Sequence, residues 1–194
     1  MSINQRGYWE GLSAECQHKF DRVLGNYLVS FFKKRMLDES IGDLGCGLGD
    51  YVKLLLANNI KADGFDGNPN TPELTTNICK ILDLSIPIKF EKPYDWIISL
   101  EVGEHLPPEY EDVFIQNLHN NNVNGIILSW AIEGQGGHGH YNERNNNYIK
   151  NKIMNLGYTN DIVEEIKMRK SSSLWWFKNT IMVFVKDKNL NKIN

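Results

Sequence analysis

Hydrophobic and polar positions along this chain alternate between two rhythms, one with helical spacing and one made of short apolar runs. Phe20, Val23, Leu24, Tyr27, Leu28, Phe31 and Phe32 recur at three- and four-residue steps, which predicts one face of an amphipathic helix. Lys33, Lys34 and Arg35 fall in its last turn, where cations suit the helix dipole. Short strands are predicted at 40–42, 60–66, 78–84, 94–100 and 125–130. Between them lie helical patterns. One carries Val52, Leu54, Leu55 and Leu56 and ends near Asn58 and Asn59. A second opens at Thr71-Pro72-Glu73, with Thr71 as cap and Pro72 in first position. A third opens at Pro107-Pro108 and carries Tyr110, Val113, Phe114 and Leu118; a fourth runs over 145–156 and stops at Gly157. Residues 162–168 and 180–186 read as two further β-runs with no helix between them, a hairpin-like pair. The alternation predicts an α/β three-layer α/β/α sandwich whose seven-stranded sheet is mostly parallel, with an antiparallel last strand. No repeat or linker divides residues 1–194, so one domain is expected, with 1–38 as an N-terminal helical lid region and 39–194 as the core.

Composition narrows the class. A hydrophobic share of 41% and a charged share of 23% are those of a soluble globular domain. The net charge of −3 offers no basic field for a nucleic-acid backbone. The three cysteines, Cys16, Cys46 and Cys79, form no C-x-x-C pair and fit a reduced, cytoplasmic setting. The N-terminus shows no signal pattern, and the longest apolar run, 126–132, is too short to span a membrane. The sequence does not speak to oligomeric state.

The chemistry gathers at the predicted strand ends, where open α/β sheets bind ligands. Asp43-Leu44-Gly45-Cys46-Gly47-Leu48-Gly49 links a strand to a helix start, a place where backbone N–H groups face an incoming ligand. Asp66 ends the second strand at the spacing of a ribose-binding acid, Asp83 ends the third, and Glu101 and Glu104 follow the fourth. A dinucleotide fingerprint would need glycine at position 50, which is Asp50, and no Gly-Lys-Ser/Thr follows for a P-loop. Asp43 would repel a pyrophosphate and attract an ammonium group. These acids ask for a ligand with ribose, adenine and a cationic amino acid.

DLGCGLGDY, GFDGNP, LDLSIP and YDWIISLEVGEHLPP occur in the order of the motifs of class I S-adenosylmethionine (SAM)-dependent methyltransferases, which the chain resembles over nearly its whole length. The resemblance implies a Rossmann-like methyltransferase domain with SAM as cofactor. By it, Gly45, Cys46 and Gly47 line the methionine part and Asp43 organises its amino group. Asp66 holds the ribose, Gly67 and Asn68 border the adenine, Asp83 with Leu84 contacts its edge, and Glu101 lies beside the reactive methyl. SWAIEGQGGHGHYNER and the closing SLWWFKNTIMVFV resemble a group of small methyltransferases that includes sugar-modifying ones of large DNA viruses. That implies O-methylation of a sugar or glycan hydroxyl.

The glycine-rich loop has physical content of its own. Gly134, Gly136, Gly137 and Gly139 let the backbone bend close to a substrate, and His138 and His140 face one side if the loop is extended. Either can take a proton from a hydroxyl, as can Glu104 or His105. Alternatively, the two histidines and nearby carboxylates hold a divalent metal, although their spacing assigns no ligand set. Tyr8, Trp9 and His18 are expected to fold over the site, and Tyr8, Trp9, Tyr141 and Asn142 to meet the substrate. Cys46 reads as a small filler, and Trp175, Trp176 and Phe177 as core and edge-strand residues. Two other readings keep SAM: methylation of a phenol, quinone precursor or amine, and a SAM-binding subunit without activity. A nucleic-acid acceptor lacks support, because Ser99-Leu100-Glu101-Val102 replaces the Asn-Pro-Pro-Tyr-like segment.

Overall fold

Hydrophobic alternation builds a seven-stranded sheet, with apolar side chains on both of its faces. The computed structural model describes residues 2–12, 18–35 and 39–187, so Cys16 and parts of the expected lid fall outside it. The sheet comprises β3 (Ser40–Leu44), β4 (Lys61–Asp66), β5 (Cys79–Ile81), β6 (Tyr94–Leu100), β7 (Asn122–Ser129), β8 (Tyr158–Asn160) and β9 (Met182–Lys186), which follow a two-stranded ribbon of β1 (Ser2–Ile3) and β2 (Trp9–Glu10). Its order is β5-β4-β3-β6-β7-β9-β8. Neighbours from β5 to β7 are parallel, and β9 lies antiparallel to both β7 and β8. The mostly parallel sheet with an antiparallel last strand is therefore as expected.

Successive strand residues serve opposite faces, because the side-chain period is two. Ile97, Ile126, Met182 and Phe184 pack on one side with Phe114 and Leu118 of α4 (Glu111–Asn120) and with Ile149 and Ile153 of α5 (Asn146–Met154). Ile98, Ile127 and Val183 pack on the other with Leu24, Leu28, Phe31 and Phe32 of α1 (Arg22–Arg35). Helix α2 (Asp50–Ala57) leaves the glycine loop, and the short α3 (Thr71–Leu74) precedes β5.

Five expectations change. Residues 162–168 are helical, within α6 (Ile162–Lys170), and the strand is the earlier Tyr158–Asn160. The Asp161 side chain accepts from Glu164 N and caps α6, while Ile162, Val163 and Ile166, which read as strand, face solvent. With β9 inserted between β7 and β8, the closing pair is no simple hairpin. The predicted third strand, 78–84, is only Cys79–Ile81, so Asp83 sits in the loop beyond it. Residue Asn70, not Thr71, occupies the cap position of α3, since the Thr71 hydroxyl donates to Asn68 O instead. Finally, the lid region is not helical throughout. Its described start is the β1–β2 ribbon, with helix only in α1.

Candidate functional site

The loop after β3 makes the floor of a cavity at the carboxyl ends of the parallel strands. Gly45 and Cys46 both donate backbone N–H bonds to Phe65 O (2.7 and 2.9 Å), so the loop turns sharply around the end of β4. Gly47 has φ of 53°, and a Cβ there would come within 2.6 Å of His18 Nδ1. Only glycine fits both the left-handed backbone and the close approach. Asp66 fixes the loop from below, with one oxygen accepting from Gly47 N and the other from Asn68 N, each at 2.9 Å. Asp43, at the buried end of β3, has an oxygen without a hydrogen-bond partner. Burial, then the neighbouring Cys79 and Asp66, push its carboxyl well above the usual range. The Cys46 thiol is raised by its hydrogen bond to Cys79 and by burial, so it is a filler and not a nucleophile.

The cavity, of about 360 Å³, is lined by Asp43, Gly45, Cys46, Gly47, Asp66, Gly67, Asp83, Leu84, Glu101 and His105 along the strand ends. That size is typical of a small-molecule site, about 300–1,000 Å³. The N-terminal ribbon forms one wall. Tyr8 lies against Gly67, where a Cβ would come within 2.6 Å of the tyrosine, and Arg6 pairs with Asp83 at 2.5 Å. The Trp9 ring stands 5.3 to 6.4 Å from the rings of His18, His105 and His138. Tyr8, Trp9 and His18 therefore do border the cavity.

At its far end, backbone geometry gathers acids and histidines. Glu101 has φ of 54°, a strained conformation for a residue with a side chain. Its carboxylate accepts from Gln135 Nε2 (2.8 Å) and Thr180 Oγ1 (3.1 Å). The 3-10 turn Gly103–His105 follows. Glu104 O accepts from Tyr141 N (2.8 Å) and Asn142 N (3.0 Å), which draws the glycine-rich loop onto this turn. His105 Nδ1 meets Gly139 O at 3.0 Å, and the His105 and His140 rings stand 5.0 Å apart. Burial and then His140 push His105 down to about 4, so its imidazole is neutral at physiological pH. Burial and then the Glu101 carboxylate push Glu104 well above the usual carboxylate range.

Several expected site residues lie elsewhere. Asn142 is buried, donates to Glu111 Oε2 (3.0 Å), and its carbonyl accepts from Trp130 Nε1 (2.6 Å). Tyr141 is exposed and lines no part of the cavity. Asn68 is buried behind the wall, where it donates to Gly11 O. Glu104 sits behind His105 and outside the lining. The two loop histidines do not point alike: Gly139 takes φ of 77° and breaks the extended geometry. His140 turns to Glu143 and His105, while His138 goes to Trp9.

Other contributors were not legible. Arg6 and Gln135 carry no motif, and Glu143 becomes relevant only through its 3.0 Å contact with His140. Trp175, Trp176 and Phe177, read as core and edge strand, lie in no strand and all line the cavity beside α7 (Phe177–Thr180); Phe177 is also a core residue with Trp176 packed on it, while Trp175 is exposed. Among the described residues, no helix is long and apolar enough to cross a membrane.

A parallel sheet closed by an antiparallel last strand, with a glycine loop and an acid at successive strand ends, is the fold of the SAM-dependent methyltransferases. A TehB-like SAM-dependent methyltransferase from Corynebacterium glutamicum superposes with a TM-score of 0.65 at 14% identity, covering 90% of this chain and 92% of that one. Magnesium protoporphyrin IX methyltransferase (ChlM) from Synechocystis PCC 6803, with bound SAH (S-adenosylhomocysteine), gives 0.63 at 18% identity, covering 84% and 81%. The glycopeptide N-methyltransferase MtfA, in complex with SAM, gives 0.57 at 8% identity, covering 83% and 86%. No family model and no curated protein matches the sequence.

Proposed function

We propose that this chain is a SAM-dependent methyltransferase that transfers a methyl group to a hydroxyl of a sugar or glycan. The observation that carries the reading is the partnerless oxygen of buried Asp43, which faces a cavity floored by Gly45 and Gly47. The cationic amino group of SAM, directly or through water, satisfies that oxygen, and Asp66 accepts the ribose hydroxyls. Gly67, Leu84 and Asp83 flank the adenine. Solved relatives of the same fold hold SAM or SAH.

The acceptor end supports a polyhydroxylated substrate. Glu101, His105, Gln135, His138 and His140 line it, and the exposed Trp175 offers an aromatic face to the apolar side of a sugar ring. A purely apolar acceptor would leave those polar groups unmatched. In the transfer, the acceptor oxygen forms a bond to the methyl carbon as the sulfonium S–C bond breaks. Sulfur keeps the bonding pair and becomes the neutral thioether of SAH. The hydroxyl proton passes to His138, which no hydrogen bond among the described residues holds in place. His140, fixed by Glu143, orients the hydroxyl for in-line attack.

Titration with SAH and turnover of labelled SAM on a panel of methyl glycosides test this reading. Asp66→Ala is expected to weaken SAH binding by about 10- to 150-fold, from roughly 1.5–3 kcal/mol for a charge-assisted hydrogen bond. His140→Ala is expected to keep SAH affinity and lose turnover. Absence of SAH binding to the wild-type chain overturns the proposal, and binding without turnover on any hydroxyl favours a SAM-binding subunit.

A further inference from the structure

Glu104 stands apart from the other buried acids. It is fully buried, and neither carboxylate oxygen has a hydrogen-bond partner among the described residues. A carboxylate so placed carries a heavy desolvation cost unless a proton or a cation compensates it. Around it stand the Glu101 carboxylate and two imidazoles: one ligating atom from each of Glu104, His105 and His140 lies within 4.8 Å of the others.

The hydrogen bonds of the two histidines fix which nitrogen is free. Gly139 O can only accept, so His105 Nδ1 carries the proton and Nε2 keeps its lone pair. The two Glu143 oxygens accept from Gly134 N (2.8 Å) and Gly136 N (2.7 Å), so both are turned toward N–H donors. One of them also accepts from His140 Nδ1, which puts the lone pair of the neutral imidazole on Nε2. Histidines that ligate metals are oriented in this manner, with the far ring nitrogen donating to a carbonyl or a carboxylate.

We propose that Glu104, His105 and His140 bind a divalent cation at the acceptor end of the cavity. Two imidazoles with one carboxylate suit Mn²⁺ and its neighbours better than the all-oxygen cages that Ca²⁺ prefers. Three protein ligands leave coordination positions open for water or an acceptor hydroxyl, whose acidity the cation raises. That catalytic use rests on the methyltransferase reading, whereas the binding site itself does not.

Mn²⁺ titration of the full chain, followed by the electron paramagnetic resonance signal of free Mn²⁺, tests the site. Saturable binding of one Mn²⁺ per chain is expected. Glu104→Gln is expected to weaken it at least tenfold, and Glu143→Gln, which removes the negative charge beside His140, by about 10- to 100-fold. Asp112→Asn, at an exposed acid outside the cavity, is expected to leave it unchanged. Should Glu104→Gln fail to fold, Glu143→Gln carries the comparison, because Glu143 is partly exposed. No saturable binding, or equal affinity in the wild type and both glutamine variants, overturns the proposal. SAH titration of the same samples is read separately. Mn²⁺ binding without SAH binding removes the methyltransferase reading and leaves the metal site standing.

Discussion

Asp21 is a single buried carboxylate that joins the start of α1 to the loop carrying Trp175 and Trp176. One oxygen accepts from Val23 N and Leu24 N, both at 3.0 Å, as a helix cap does. The other accepts from Ser173 N (2.6 Å) and Leu174 N (2.9 Å). Asp21→Ala removes the cap, at about 1 kcal/mol. It also strands two backbone donors; Ser173 is exposed enough for water to replace one bond, so the second oxygen accounts for about 1–3 kcal/mol. The expected loss is about 2–4 kcal/mol in total. Asp21→Asn keeps one acceptor oxygen and is expected to lose roughly half as much. Urea denaturation at pH 7 reads both as a lower midpoint with an unchanged slope. Burial raises the Asp21 carboxyl, but the backbone bonds from Leu174, Leu24 and Ser173 outweigh it and hold the group below its usual value. Its contribution is therefore complete above the unfolded value of about 3.9 and disappears as the pH falls through the lower folded one. An alanine penalty below about 1 kcal/mol at pH 7, or one that persists undiminished at pH 2, would refute the double role.

Glu111 titrates on the same principle in a different place. Burial opposes its ionisation, yet hydrogen bonds from Lys152, Tyr148, Arg144 and Asn142 together bring it down to about 2. Wild type is expected to exceed Glu111→Gln in stability at neutral pH, with the gap closing between pH 4.5 and 2; a gap constant across that range in denaturation titrations speaks against the cluster. Gly103→Ala places a Cβ into the ring of Trp130. It is expected to cost about 1–3 kcal/mol and to depress turnover more than SAH affinity, since the turn it distorts carries His105 and not the glycine loop. Unchanged melting and turnover would mean that the ring has room to move.

The parallel core was legible because its signals are local. The apolar runs at 94–100 and 125–130 are too short and too β-branched for helices, and the glycine loop after 40–42 announces a strand-to-helix turn. At 162–168 the same rule misled, because Ile162, Val163 and Ile166 imitate a buried strand while lying on the solvent face of α6. Asp161 followed by Glu164 is a capping signal that pointed the other way. The acids Asp43 and Asp66 were legible for a related reason. Their positions at strand ends follow from the alternation of elements, and each lines the cavity. Asn142 and Tyr141 were not, since loop residues beside a histidine share its neighbourhood in sequence but not its direction. Arg6 and Glu143 were illegible because they act through partners 77 and 3 residues away that only the fold identifies.

The acceptor end follows from one buried hub. Trp130, at the end of β7, packs against Phe114 of α4 and donates to Asn142 O, so the returning chain is fixed where the sheet ends. Glu111, at the start of α4, holds the Asn142 side chain and Arg144. With the chain anchored at 142–144, residues 133–141 must arch back over the strand ends, and the Glu104 carbonyl meets that arch at Tyr141 N and Asn142 N. His140 is thereby placed opposite His105 without any direct bond between their rings. The glycines at 134, 136 and 139, all with positive φ, give the arch its curvature. The arch is then held by Glu143 at Gly134 N and Gly136 N, by Glu101 at Gln135 and by His105 at Gly139 O, which keeps the two imidazoles in register. Substitution in the hub should therefore disturb the histidine pair, whereas the glycine loop and Asp66, supported by β3 and β4, keep the other end of the cavity intact.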